Sequence, residues 1–244
     1  MRGDQHVYIS LATVGLLIAP WLTVLDPVLI AVLLFGIFVG SLAPDADAAD
    51  AAIFNGRFGR VKGKRGQLVN GLAVVLPIFG YTIRYLIYYP LSLVFTLILR
   101  KSYRHRHRGL LHSLAGVGLT ALLLSGYLAL ILAWSGISLA LLPAFGAAFL
   151  AGCILHLIED SCTPEGIAWL YPFSRRRLAG RVLTWGSLEV RPTVFAIVLA
   201  LAAAAMLIAP FVTGAKAEEL GLLAAGIALL LWILFILACR VRRL

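Results

Sequence analysis

Long uncharged apolar runs, repeated along the chain, constrain this fold more than any other feature. Leu110–Trp134, Thr193–Thr213 and Leu220–Cys239 contain no Asp, Glu, Lys or Arg. A helix needs about 20 such residues to cross the roughly 30 Å hydrocarbon core of a bilayer. Val7–Leu25, Val28–Ala43, Leu68–Leu99 and Leu139–Ile158 read the same way, with Arg84 the only charge among them. Hydrophobic residues make up 61% of the 244 and charged residues 13%, against about 25% charged in soluble chains. A globule of this size has too much surface to hide that apolar excess. A soluble enzyme, a disordered chain and a nucleic-acid-binding domain are excluded as descriptions of the whole. The expected fold is all-α: a polytopic membrane protein of about six transmembrane helices plus a hairpin or re-entrant pair.

The net charge of +10 belongs to the membrane and not to nucleic acid, because Lys and Arg collect in cytoplasmic loops beside anionic lipid. The three cysteines, Cys153, Cys162 and Cys239, are scattered, so neither a disulfide framework nor a Cys-based zinc site is expected. No small-residue cleavage site follows the first apolar run, which is therefore read as a span and not a cleaved signal. No internal repeat or low-complexity linker divides the chain. Residues 1–244 are read as one integral-membrane domain, closed by a C-terminal transmembrane hairpin over 193–244.

Leu68–Leu99 decides the topology. As one tilted span it would put the basic loops on either side of it, 44–67 and 100–108, on opposite faces. That breaks the positive-inside bias. A hairpin or re-entrant pair turning near Arg84 returns both loops to one face. Of the 21 Lys and Arg, all but Arg84 and Lys216 then fall on the cytoplasmic side. Both termini are expected there, in a multi-pass protein of the cell membrane.

On that map the ionisable residues converge. His6, Asp45, Asp47, His107, His112, His156 and Asp160 all stand at cytoplasmic helix ends or in cytoplasmic loops. His156 and Asp160, four apart, share a helix face, and imidazole nitrogen and carboxylate oxygen both suit divalent metals. By itself this spacing also fits an interfacial His beside a solvated Asp. In His107-Arg-Gly-Leu-Leu-His112 the glycine lets the chain bend into the next helix. Asp45-Ala-Asp47 places two carboxylates where they can bridge a cation, or simply lie in solvent. Thr163-Pro164 reads as a helix stop after Asp160, with a catalytic Thr163 as the minor reading. His105 is expected to stay outside the cluster.

Together, His6, Pro44-Asp45-Ala46-Asp47, His107-Arg108-Gly109-Leu110-Leu111-His112-Ser113 and the segment from His156 through Asp160 and Thr163-Pro164 to Gly166 resemble the YdjM-like family of membrane-bound metal-dependent hydrolases. These motifs lie within residues 1–172. The sequence departs from the family at Ala48, where a His usually follows the second Asp, and Asp50 stands nearby as a substitute. The resemblance implies a hydrolase with His6, Asp45, Asp47, His107, His112, His156 and Asp160 as metal ligands.

Seven candidate ligands exceed the needs of one tetrahedral ion. They suit two or three divalent ions, zinc foremost, with manganese or iron as alternatives. Such clusters activate water and neutralise charge on a phosphoryl oxygen. The mixed His and Asp set is similar to the sites of zinc-dependent phospholipase C, an analogy at the level of the site. Asp47 and Arg108 are assigned catalytic roles, Arg108 as a two-pronged phosphate clamp or else one more charge of the basic loop. The expected activity is metal-dependent hydrolysis of phosphoesters, including membrane lipid head groups, by metal-activated water at the cytoplasmic interface. The expected partners are membrane lipid and a phosphorylated or lipid substrate, with no nucleic acid. The alternative is a divalent metal-ion transporter or channel, whose site would lie nearer the bilayer midplane.

Overall fold

A computed structural model describes residues 1–55, 74–100, 107–183 and 189–244. The chain is helical almost throughout. In order come α1 (Gly3–Ile18), α2 (Pro27–Gly40), a short α3 (Ala52–Asn55), α4 (Leu76–Leu99), α5 (Leu114–Trp134), α6 (Leu142–Ser161), α7 (Arg191–Thr213) and α8 (Ala217–Ala238). Strands β1 (Leu178–Ala179) and β2 (Arg242–Arg243) pair antiparallel. The last five long helices are each long and apolar enough to cross a membrane.

Local chemistry sets several boundaries. Asp26 caps α2 by accepting from the amides of Val28 and Leu29, and Pro27 occupies the first helical position, where its missing N–H costs nothing. Ser113 caps α5 through Gly116 N–H. Gly214, at φ +68°, ends α7 in the left-handed conformation that glycine adopts without penalty.

Two hydrophobic clusters organise the bundle. One gathers α2, α4, α5 and α6 around Val39, Ile83, Val117 and Phe149. The other joins α1, α7 and α8 around Leu16, Leu199 and Trp232. The closest crossing is that of α2 with α6. Gly36 and Gly40 of α2 face Ala148, Phe149 and Gly152 of α6, and a Cβ added at Gly152 would stand 2.6 Å from the Ile37 carbonyl oxygen. Small residues four apart allow this backbone approach, the usual device of helix pairs in lipid.

The helix α2 has 14 residues, about 21 Å at 1.5 Å each, and so ends short of a full crossing. The chain then makes a 3₁₀ turn over Ala43–Asp47, with Ala43, Pro44 and Ala46 buried. Irregular backbone at membrane depth is tolerated where protein covers it. Two carboxylates are thereby carried into the bundle.

The expected hairpin at Arg84 is corrected. Leu76–Leu99 is one continuous helix, locally widened to π geometry over Thr82–Tyr88. Arg84 needs no turn to reach water: its guanidinium lies 5.3 Å over the Phe54 ring, and its Nε donates to Tyr89 Oη at 3.3 Å. The first half of α4 packs across the Ala43–Asp47 turn. Asp47, after α2, and His107, after α4, touch directly at one end of the bundle. Both ends of the chain stand there too. The Met1 amine reaches Asp160, and β2 pairs with β1 in the segment after α6. The basic stretches 57–65 and 101–106, with His105, lie outside the described residues.

Candidate metal centre

Six segments meet at this end: the start of α1, the end of α2, the Ala43–Asp47 turn, the 3₁₀ turn Leu110–His112, the end of α6 and the loop after it. His6, His112 and His156 are buried to within 1% of full exclusion, as are Glu159 and Asp160. His6 and His156 stack with ring centroids 3.9 Å apart, and His112 meets His156 edge-on at 5.3 Å.

Two of these three imidazoles, His156 and His6, are anchored at Nδ1. His156 Nδ1 donates to the Ser41 carbonyl oxygen at 2.7 Å. A carbonyl only accepts, so Nδ1 carries the proton and Nε2 bears a lone pair. His6 Nδ1 meets Glu159 Oε2 at 2.6 Å. His112 Nδ1 faces Asp47 Oδ2 at 3.6 Å.

The Nε2 atoms point the other way, toward carboxylates. His112 Nε2 lies 3.3 Å from Asp45 Oδ1 and 3.7 Å from Asp160 Oδ2. His156 Nε2 lies 3.6 Å from Asp45 Oδ1 and 3.8 Å from Asp160 Oδ2. His6 Nε2 lies 3.5 Å from Asp160 Oδ1. Among the described residues, His156 Nε2 and both nitrogens of His112 are buried without a hydrogen-bond partner. A buried lone pair facing two carboxylate oxygens is repulsive unless a cation lies between them.

The donors fit a metal ion. His6, Asp45 and His156 form one group whose ligand atoms all lie within 4.8 Å of one another, and His112, His156 and Asp160 form a second. The groups share His156 and mark one centre. Separations of 3.3–3.8 Å correspond to tetrahedron edges for bonds of about 2.0–2.3 Å, which takes in the roughly 2.0–2.2 Å of zinc with nitrogen and oxygen ligands. Between them the two groups take in five of the seven residues expected as ligands. Asp47 and His107 stand one step out, paired through Oδ1 and Nδ1 at 2.8 Å. His107 is 49% exposed, so it marks the opening of the site. Asp50 is exposed and outside both donor groups, and Ala48 packs at the edge of the core.

Electrostatics follow from this arrangement. Burial works against charge on His112, but the neighbouring Asp45 and Asp47 carboxylates outweigh it and hold the imidazole up to about 10. Burial likewise opposes charge on Asp45 and Asp47, yet the surrounding imidazoles keep both carboxyls below their ordinary range. The bond to Asp47 raises His107.

Arg108 is nearly buried, with its backbone at φ +57°. Its Nη2 lies 3.2 Å from Asp160 Oδ1 and 3.1 Å from Oδ2. Its Nη1 donates to Thr163 Oγ1 at 2.8 Å and lies 3.3 Å from Glu165 Oε2. Arg108 thus grips the metal-site carboxylate itself, and Thr163 steadies the grip. The Met1 amine also reaches Asp160 Oδ1, at 2.6 Å.

Two members of the site were not read from the sequence. Glu159 and Ser10 form a relay behind His6, with Ser10 Oγ donating to Glu159 Oε1 at 3.1 Å. Ser10 was discoverable, since it follows His6 by four residues and shares its helix face. Glu159 carried no local signal, because its partner lies on a different helix.

No curated protein and no solved structure matches the chain. A family model, described as YdjM inner membrane protein, matches residues 1–242 and so extends beyond the motifs into the last two helices. With nearly the whole length covered, the chain belongs to the YdjM inner membrane protein family.

Proposed function

We propose that this protein is a membrane-embedded, metal-dependent hydrolase of phosphoesters, with lipid head groups as the favoured substrates and its site on the cytoplasmic face. The observation that carries the reading is the buried His156 Nε2 lone pair, aimed with His112 Nε2 at Asp45 and Asp160. Structural histidines of a core are satisfied on both nitrogens; these are satisfied on neither or on one side only. The placement of the donors at one end of the bundle, beside a half-exposed His107, supports an enzyme facing the interface over a transporter with a midplane site.

His6, Asp45, His112, His156 and Asp160 would hold the ion, with zinc the best match to the donor set. A divalent ion bound there supplies Lewis acidity toward a phosphoryl oxygen and a water of lowered pKa. The rest falls to the chain. Glu159 and the Ser41 carbonyl fix the His6 and His156 rings so that each Nε2 faces inward, and Asp47 stands beside His112 Nδ1. Arg108 holds Asp160 in place and brings positive charge beside the position a phosphate would occupy. His107, bonded to Asp47 through Nδ1, has Nε2 left to carry a proton between the site and solvent.

The test uses purified protein in detergent. Metal analysis, with a hydrolysis screen over lipid and soluble phosphoesters, should find bound divalent metal and chelator-sensitive turnover. Metal flux across vesicles without turnover of any ester would replace the proposal with the transporter reading.

A further inference from the structure

The loop between α6 and α7 carries a second recess, outside the metal centre. It has a volume of about 330 Å³ and is lined by Arg176, Arg177 and Arg243, by Ser174, and by the apolar Trp169 and Leu170. The antiparallel pairing of Leu178 with Arg243 brings the C-terminal arginine across to the two from the loop. Arg177 Nη1 is pre-set by donating to the Glu165 carbonyl oxygen at 3.0 Å. Arg2, Arg108 and Arg191 of this end are each paired with a carboxylate, whereas among the described residues Arg176 and Arg243 have no carboxylate within ion-pair distance. Three guanidinium groups lining one concavity give it a positive potential that favours an anion. Guanidinium forks match phosphate oxygens two at a time.

The walls indicate where that phosphate comes from. Trp169, Leu170 and Leu178 give the recess a mostly apolar wall. Beside it Leu170 and Phe173 are exposed, Phe173 to 74%. Arginine over exposed aromatic and aliphatic side chains is the composition of a membrane interface, where anionic lipid meets basic protein. A soluble phosphate would have no use for the apolar wall.

The recess is also fastened to the metal centre. Trp169 Nε1 donates to Ser161 Oγ at 2.9 Å, directly after Asp160, and the Trp169 carbonyl accepts from Leu114 N at 2.9 Å, two residues after His112. Its back wall therefore joins the ends of the two helices that frame the ligands.

We infer that this recess binds the phosphate of an anionic phospholipid head group, with Arg176, Arg177 and Arg243 as its ligands and Trp169 beneath the glycerol region. The assignment rests on the hydrolase reading only for the bound lipid's role as substrate, and its test reads binding alone.

The experiment places the full-length protein in bilayer discs containing phosphatidylglycerol or phosphatidylcholine with brominated acyl chains. Bromine quenches nearby tryptophan, and a Trp169→Phe variant assigns the part of the signal that comes from the recess. Quenching of Trp169 should favour phosphatidylglycerol. Arg176→Gln with Arg243→Gln should weaken that preference about tenfold, given the attraction of each basic side chain to an anionic surface, with metal content unchanged. Equal quenching by both lipids, or a preference that survives the double substitution, overturns the inference. Displacement of phosphatidylglycerol by millimolar inorganic phosphate would make the recess a free-anion site and overturn it as well. A protein with the lipid preference and no hydrolytic activity would keep this inference and lose the preceding one.

Discussion

His6 and Glu159, 153 positions apart, meet through Nδ1 and Oε2 at 2.6 Å inside a fully buried contact. The second carboxylate oxygen accepts from Ser10, so both Glu159 oxygens are engaged on the α1 side of the centre. Its role is to fix the His6 ring, as a carboxylate behind a metal-binding imidazole does. Glu159→Gln should therefore lower metal affinity about 10–100-fold, the usual cost of losing such a partner. Competition titration with a chromogenic chelator reads this directly. An unchanged affinity would reduce Glu159 to a packing residue.

His112→Ala and Asp160→Ala remove donors and should abolish both bound metal and metal-dependent hydrolysis. Insertion should persist, because apolar run length governs it and neither change alters that. Arg108 separates two roles. As a pure phosphate clamp it would leave metal content intact when replaced. Its contacts with both Asp160 oxygens instead predict that Arg108→Ala lowers metal affinity together with turnover. A turnover defect at full metal occupancy would return Arg108 to the substrate.

Asp45 and Asp47 outweigh burial and hold His112 up to about 10, so at neutral pH that imidazole carries a proton that a bound ion would have to expel. Asp45 and Asp47 are already ionised and release none. Apparent metal affinity should accordingly rise with pH, by about tenfold per unit for each proton released, and level off once His112 deprotonates. Binding isotherms between about pH 6 and 8 test the sign. A flat or falling profile would mean that His112 is not a ligand.

The two termini, the acidic turn and the loop after α6 share one end of the bundle. We predict that this end is cytoplasmic, on the positive-inside bias. Reporter fusions at Arg177 and after Leu244 should agree with each other and read cytoplasmic, and a fusion at Lys216 should read the opposite face. Disagreement between Arg177 and the C-terminus would break the topology.

Much of this was legible because it is written in local spacing. His156 and Asp160 sit one turn apart, and Asp45 and Asp47 flank a single residue of a turn. What stayed hidden depended on contacts between distant segments. Arg84 looked like a turn because a charge in an apolar run has no local remedy, whereas Phe54 and Tyr89 supply one laterally. Glu159 reads as one more acid at a helix end until α1 is packed against it. Arg108, embedded in a basic loop, gives no hint that it turns inward to Asp160.

The last prediction joins packing to chemistry. Gly152 has no role in the centre, yet its α-carbon lets α6 approach α2 at the residue that anchors His156. A Cβ there would stand 2.6 Å from Ile37 O and 2.9 Å from Ser41 N. Both partners are backbone and cannot rotate away, so the helices must separate. Ser41 O holds His156 Nδ1, and Asp45 follows four residues later on the same turn. Separation therefore loosens the imidazole's anchor and withdraws a carboxylate in one movement. Gly152→Val should cost about 1–3 kcal/mol, as overpacking does, and should lower metal affinity although every ligand is intact. Gly118→Ala in α5, where an added Cβ meets nothing within 4 Å, is the control and should change neither. Full metal affinity in a folded Gly152→Val protein would show that the α2–α6 crossing does not set the geometry of the site.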